Sequence, residues 1–126
     1  MTWQPLSEGK LWDFMNEAWD RMSIEQRRLW EVTRVSPQKW KLTPWGDQRG
    51  GFWVVGIIGS TVLWYNDIEY GFNRSKYSSL GTIAEYWCNQ DKLEWTVQFV
   101  LNEIRTSEPP APGFGPPIPG EYKPEV

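Results

Sequence analysis

Asp67 and Glu69 stand two residues apart in the segment Trp64-Tyr65-Asn66-Asp67-Ile68-Glu69-Tyr70-Gly71. On extended chain, residues i and i+2 share a face. The two carboxylates would then pair as the acid and base of a hydrolase do. Such pairs usually work in a deep cleft on a larger scaffold, so the enzyme reading is disfavoured. A calcium loop does not fit either. Its glycine sits sixth, with oxygen ligands first, third and fifth. Counted from Asp67, Gly71 is fifth; counted from Asn66, the third position is Ile68.

Other chemistry is limited by composition. The chain has no histidine, so imidazole acid–base catalysis and the Ser-His-Asp and Cys-His nucleophilic sites are excluded. Cys88 is the one cysteine, which leaves zinc only oxygen ligands. Cys88 follows an apolar stretch with no base beside it in sequence, and reads as a buried structural thiol. Gly46 to Gly51 is glycine-rich but lacks the Gly-Lys-Ser/Thr that ends a phosphate-binding loop. The expectation is a non-catalytic protein with no cofactor and no metal.

Tryptophan is the second unusual feature. The chain has ten, where one or two would be ordinary on the order of average usage. Most should fill the core with their N–H tips reaching partners or solvent. Trp40, Trp45 and Trp64 are the ones expected to be exposed. An exposed indole beside acidic and amide groups suits a protein interface or stacking on a sugar.

These residues are positioned by a few legible elements. Ser7 begins a helix in which Leu11, Phe14, Met15, Ala18, Trp19 and Met22 form one apolar stripe. Ser23 and Gln26 make a capping box that starts a short second helix through about Trp30. The turn between them is brief, so the two helices should touch. Glu31 to Val35 reads as a possible strand, Ser36-Pro37 as a turn, Trp40 to Leu42 as a short extended piece, and Pro44 to Gly51 as a loop. Phe52 to Ile58 and Thr61 to Tyr65, joined by Gly59-Ser60, form a hairpin with a type II′ turn. Strict alternation puts Trp53, Val55 and Ile57 on one face and Phe52, Val54 and Ile58 on the other. Both faces are apolar, so helices are expected to cover both. Asn66 to Asn73 reads as a polar connection, and Gly81 to Trp87 as a third strand. Asp91 and Glu94 suggest a capped last helix with Leu93, Val97, Val100, Leu101 and Ile104 on its apolar stripe.

The fold class predicted is α+β: two N-terminal helices, a three- to four-stranded antiparallel sheet with a central hairpin, and a C-terminal helix. Hairpin topology then brings two loops together. Trp45, Asp47, Arg49, Trp64, Asn66, Asp67, Glu69 and Arg74 are the candidate binding residues of the edge patch that results.

The 126 residues suggest one domain, over 1–105. Seven prolines and three glycines fall between Thr106 and Val126, which predicts a disordered proline-rich tail. Its P-x-x-P spacing fits a linker better than a docking peptide. The net charge of −3 and the lack of a basic stripe argue against nucleic acid. No run approaches the ~18 apolar residues of a membrane span. Glu8 and Asp13 stand where a secretory signal would be apolar or basic. With one cysteine, a reducing cytoplasm is the expected location.

The blocks Gly50-Gly51-Phe52-Trp53-Val54-Val55, Trp64-Tyr65-Asn66-Asp67-Ile68-Glu69 and Gly71-Phe72-Asn73 resemble a small family of uncharacterised bacterial proteins. The similarity runs from about Leu11 to Ile104. It implies a bacterial origin and assigns no residue a role. Two functions remain open. One is a small acidic protein-binding module of the bacterial cytoplasm, of toxin-immunity type, whose partner is another protein. The alternative is a binder of carbohydrate or another small ligand through exposed tryptophans.

Overall fold

The computed structural model describes residues 4–45 and 50–106. They form α1 (Glu8–Arg21), α2 (Ile24–Thr33), β1 (Arg34–Trp40), β2 (Phe52–Ile58), β3 (Thr61–Asn66), β4 (Gly71–Lys76) and α3 (Leu93–Thr106). The strands make one antiparallel sheet in the order β1-β2-β3-β4. The fold is α+β. The proline-rich stretch from Ser107 onward lies outside the described residues.

Helix starts follow the local chemistry. The Ser7 hydroxyl accepts from the Lys10 amide at the N-terminus of α1, a cap worth about 1 kcal/mol. Ser23 and Gln26 satisfy each other's backbone N–H groups in a complete capping box. Leu11, Met15 and Ala18 of α1 and its C-cap Met22 are buried with Leu93, Val97 and Val100 of α3. Burying each larger side chain contributes roughly 1.5–3 kcal/mol. Both α1 and α2 pack on α3. The two also touch directly, since Arg27 donates to the Trp19 carbonyl and lies over its ring.

The expected strand over Glu31–Val35 is largely helix, because α2 continues to Thr33. Gly56 explains the extension. A side chain there would press on Trp30 and Thr33, so the bare backbone of β2 gives the last turn of α2 its seat. Ser36-Pro37 is not a turn but lies within β1. There the register with β2 shifts between Arg34 and Gln38, and an edge strand tolerates proline.

The β2–β3 hairpin forms around Gly59, whose φ of 58° is the conformation a type II′ turn requires of its first central residue. Strict alternation fails along β2. A register irregularity between Val54 and Gly56 inserts one residue and moves the following side chains across the sheet. Ile57 therefore packs with Phe52 and Val54, and Ile58 packs on the opposite cluster with Val55.

Among the described residues, helices cover one face of the sheet. The other carries Trp40, Leu42, Phe52, Val54, Val62 and Trp64 beneath Ile83 and Tyr86. The segment expected as a third strand, Gly81 to Trp87, has no regular strand; it contributes isolated bridges, among them Lys41–Thr82. The fourth strand is instead β4, which begins inside what reads as a polar connection over Asn66 to Asn73 and runs three residues beyond it. Its polar side chains tie down the irregular cover. The Ser75 hydroxyl donates to the Glu85 carbonyl at 2.8 Å. Asn73 donates to the Asn89 carbonyl at 3.1 Å and accepts its amide at 2.8 Å.

Candidate functional site

The two loop ends next to the hairpin do adjoin, as Trp53 pairs with Tyr65. The side chains expected to form a surface patch there do not. Trp64 is fully buried, and its indole N–H donates to Ser75 Oγ at 2.9 Å. Trp40 is also buried. Trp45 is half-buried and stacked on Tyr86, with centroids 4.2 Å apart. These three indoles are core, because the irregular cover of the second face needs large flat side chains beneath it. Their expected exposure is overturned.

The polar members are structural as well. Asn66 is fully buried. Its Oδ1 accepts the amides of Ile68 and Glu69, and its Nδ2 donates to the Trp87 carbonyl. Asp67 is 2% exposed, and its Oδ2 accepts the Leu6 amide at 2.7 Å. Glu69 is half-buried. Arg74 lies opposite Leu63, whose side chain is on the helix-covered face. There it pairs with Glu103 at 3.0 Å and lies over Phe99. It is thus separated by the sheet from Trp45 and Trp64. Asp47 and Arg49 lie outside the described residues. Cys88 is half-buried, and burial followed by Glu69 pushes its thiol pKa up. That keeps it protonated, as a structural thiol is.

The buried amide of Asn66 builds something else. Through its side chain and its carbonyl, which accepts the Tyr70 amide at 2.7 Å, it closes one helical turn over 67–70. Tyr70 ends that turn with φ of 64°, the one non-glycine residue in the left-handed region among those described. Glycine or asparagine usually takes this position. A side chain there costs roughly 1–2 kcal/mol. The ring held in this way is 73% exposed.

Tyr70 stands at a cleft of about 290 Å³ between α1 and the β3–β4 turn. Aromatic rings line it: Phe14 lies 5.5 Å from Tyr65, and Tyr65 lies 4.9 Å from Phe72. Burial, and then the nearby Asp67 charge, raise the Tyr65 phenol to a pKa of about 12. It is therefore a neutral hydrogen-bonding group at physiological pH. Glu17 and Asp91 supply negative charge to the lining, and Arg21 and Lys92 positive charge. Arg21 is held in place by a two-point pair with Glu94, at 2.6 and 3.1 Å. The Glu94 hydrogen bond raises the Arg21 pKa further.

An aromatic cleft ringed by both signs of charge can receive a side chain with an apolar body and a charged end. Among the described residues no three Cys, Asp or Glu side chains gather as a metal site would need. No helix among them is long and apolar enough to cross a membrane. Sequence reasoning singled out this turn for its carboxylates and missed Tyr70, since nothing in the residue types announces a left-handed tyrosine. The adjoining Gly71 was the nearest signal. Searches against protein-family models, curated proteins and solved structures found no match to this chain.

Proposed function

We propose that this chain is a small acidic, non-catalytic protein-binding module whose contact face centres on Tyr70. The observation that carries the reading is the exposed ring held in a conformation that costs stability. Backbone strain concentrates where function keeps it, and exposed tyrosine is among the side chains that dominate interfaces. The neighbouring surface of α1 favours a basic partner. Asp13, Glu17 and Asp20 are spaced i, i+4 and i+7 on that helix and are all exposed. Like charges at that spacing destabilise a helix and speed encounter with a positive surface. An acidic inhibitor that covers a basic enzyme, as in a toxin–immunity pair of the bacterial cytoplasm, has this build.

The test is affinity capture from a native lysate of the source cells at low salt. The tagged full chain is compared with Tyr70→Ser and Glu17→Lys, each checked for folding by circular dichroism. A stoichiometric basic partner should be captured by the parent and lost with both variants. A partner retained by both would move the face away from Tyr70. No partner for the parent would remove the module reading.

A further inference from the structure

A second cleft, of about 270 Å³, lies on another side of the molecule, where α1 meets the junction of α2 and β1. Trp12, Met15, Asn16 and Trp19 enter it from α1, spaced i, i+3, i+4 and i+7 and so on one helix stripe. Trp30 and Glu31 enter from the last turns of α2. Arg34 and Ser36 follow at once on β1, because no loop separates the two elements.

We infer that this cleft is a carbohydrate site that takes one sugar ring, or the end of a short glycan. Three features of the lining select that chemistry. First, three indoles contribute to it. Trp12 is 38% exposed, Trp19 is half-buried, and Trp30 is buried. The electron-rich face of an indole attracts the weakly positive C–H groups of a pyranose. Second, the rings are already oriented. The Trp12 N–H donates to Glu8 at 3.2 Å, and Arg27 lies over the Trp19 ring at 4.8 Å. Binding therefore loses little side-chain freedom.

Third, the polar groups suit a neutral polyol. The side chains of Asn16, Glu31, Arg34 and Ser36 make no hydrogen bond or ion pair among the described residues. Amide, carboxylate and guanidinium groups each offer two adjacent hydrogen-bonding atoms, which match neighbouring hydroxyls. The charges in the lining are one carboxylate and one guanidinium, which cancel. A phosphate or an ammonium ion would meet one favourable and one unfavourable charge, whereas a neutral ring meets neither. The volume is near the small end of ligand pockets, which run from ~300 Å³ upward.

This inference does not depend on the Tyr70 face, and its test keeps the two apart. The full chain is titrated calorimetrically with cellotriose, maltotriose, xylotriose and chitotriose, each to about 10 mM. Tetramethylammonium serves as the cationic comparison. At least one trisaccharide should bind saturably. Trp12→Ala and Arg34→Ala should each weaken it roughly tenfold, and Tyr70→Ser should leave it within about twofold. In nitrogen-edited NMR spectra, the indole N–H signals of Trp19 and Trp30 should move on binding, and those of buried Trp40 and Trp64 should stay. The inference is overturned if all four sugars fail to bind, or if either cleft variant keeps parental affinity. Preferential binding of tetramethylammonium overturns it too.

Discussion

The carboxylate of Asp67 accepts the backbone amide of Leu6 at 2.7 Å, across a separation of 61 residues. The Leu6 carbonyl in turn accepts the indole N–H of Trp53 at 2.8 Å. Both backbone polar groups of one N-terminal residue are thus taken up by the hairpin end. This clip fixes the chain just before Ser7 caps α1. A charged hydrogen bond in a buried setting is worth roughly 1.5–3 kcal/mol. Asp67→Ala should therefore lower stability by about 2 kcal/mol in urea denaturation. It should also speed amide exchange at Leu6. A change under about 0.5 kcal/mol would mean that the clip does not hold the N-terminus.

Tyr70 gives an opposite expectation. Glycine adopts its φ without strain, so Tyr70→Gly should raise stability by about 0.5–1 kcal/mol despite the looser unfolded chain. The same variant should lose the protein partner. Gain of stability with loss of binding would separate a residue kept for contact from one kept for folding. Loss of stability would mean that the ring is needed by the fold.

Tyr65 makes stability depend on alkaline pH. Its pKa in the folded chain is about 12, against an ordinary value of 10.0. Unfolded chains therefore lose this proton first. Between those two values the folded state holds more protons, and stability falls as pH rises. The loss is on the order of 2 kcal/mol, complete near the upper value and absent below the lower one. Burial raises Tyr86 as well, so Tyr65→Phe should remove part of the loss. Urea midpoints at about pH 9 and pH 11.5 would measure it. Equal pH dependence in Tyr65→Phe would assign the effect elsewhere.

Gly71 packs against the segment that follows Cys88. A Cβ there would collide with the Asn89 carbonyl oxygen and with Gln90 Cα. Both belong to backbone, which cannot swing aside as a side chain can. Gly71→Ala should cost about 3 kcal/mol by thermal or urea denaturation. Near-parental stability would show that the segment relaxes away from β4.

The elements that the sequence made legible are those with local signals. Ser7 and Ser23 mark helix starts by capping chemistry, and Gly59-Ser60 marks the hairpin by turn chemistry. The errors lie where a distant neighbour decides. Val32 and Thr33 are β-branched and suggest strand, yet they stay helical because Trp30 and Thr33 seat on Gly56. Phe72-Asn73-Arg74-Ser75 has the polarity of a loop, yet it is a strand because β3 offers a full ladder and the irregular cover uses its amide and hydroxyl groups. The candidate patch failed for the same reason. Asn66 and Asp67 look like surface residues, but the Asn66 amide also donates to the Trp87 carbonyl and Asp67 accepts the Leu6 amide, partners that no local pattern names.

The cover over the second face of the sheet, from Tyr77 to Asn89, is held by scattered bonds rather than by a continuous ladder: backbone bonds to Lys41, Ser60 and Lys76, and side-chain bonds from Asn66, Asn73 and Ser75. Such a cover can lift while the strands beneath stay paired. The molecule therefore has two interiors that open at different free energies. Amides in the middle of β2 and β3 should exchange only when the whole chain unfolds. Trp64 should meet water sooner, each time these scattered bonds release together. A small quencher would reach that indole on the time scale of a loop, while Leu11 and Val97 stay sealed on the time scale of global unfolding.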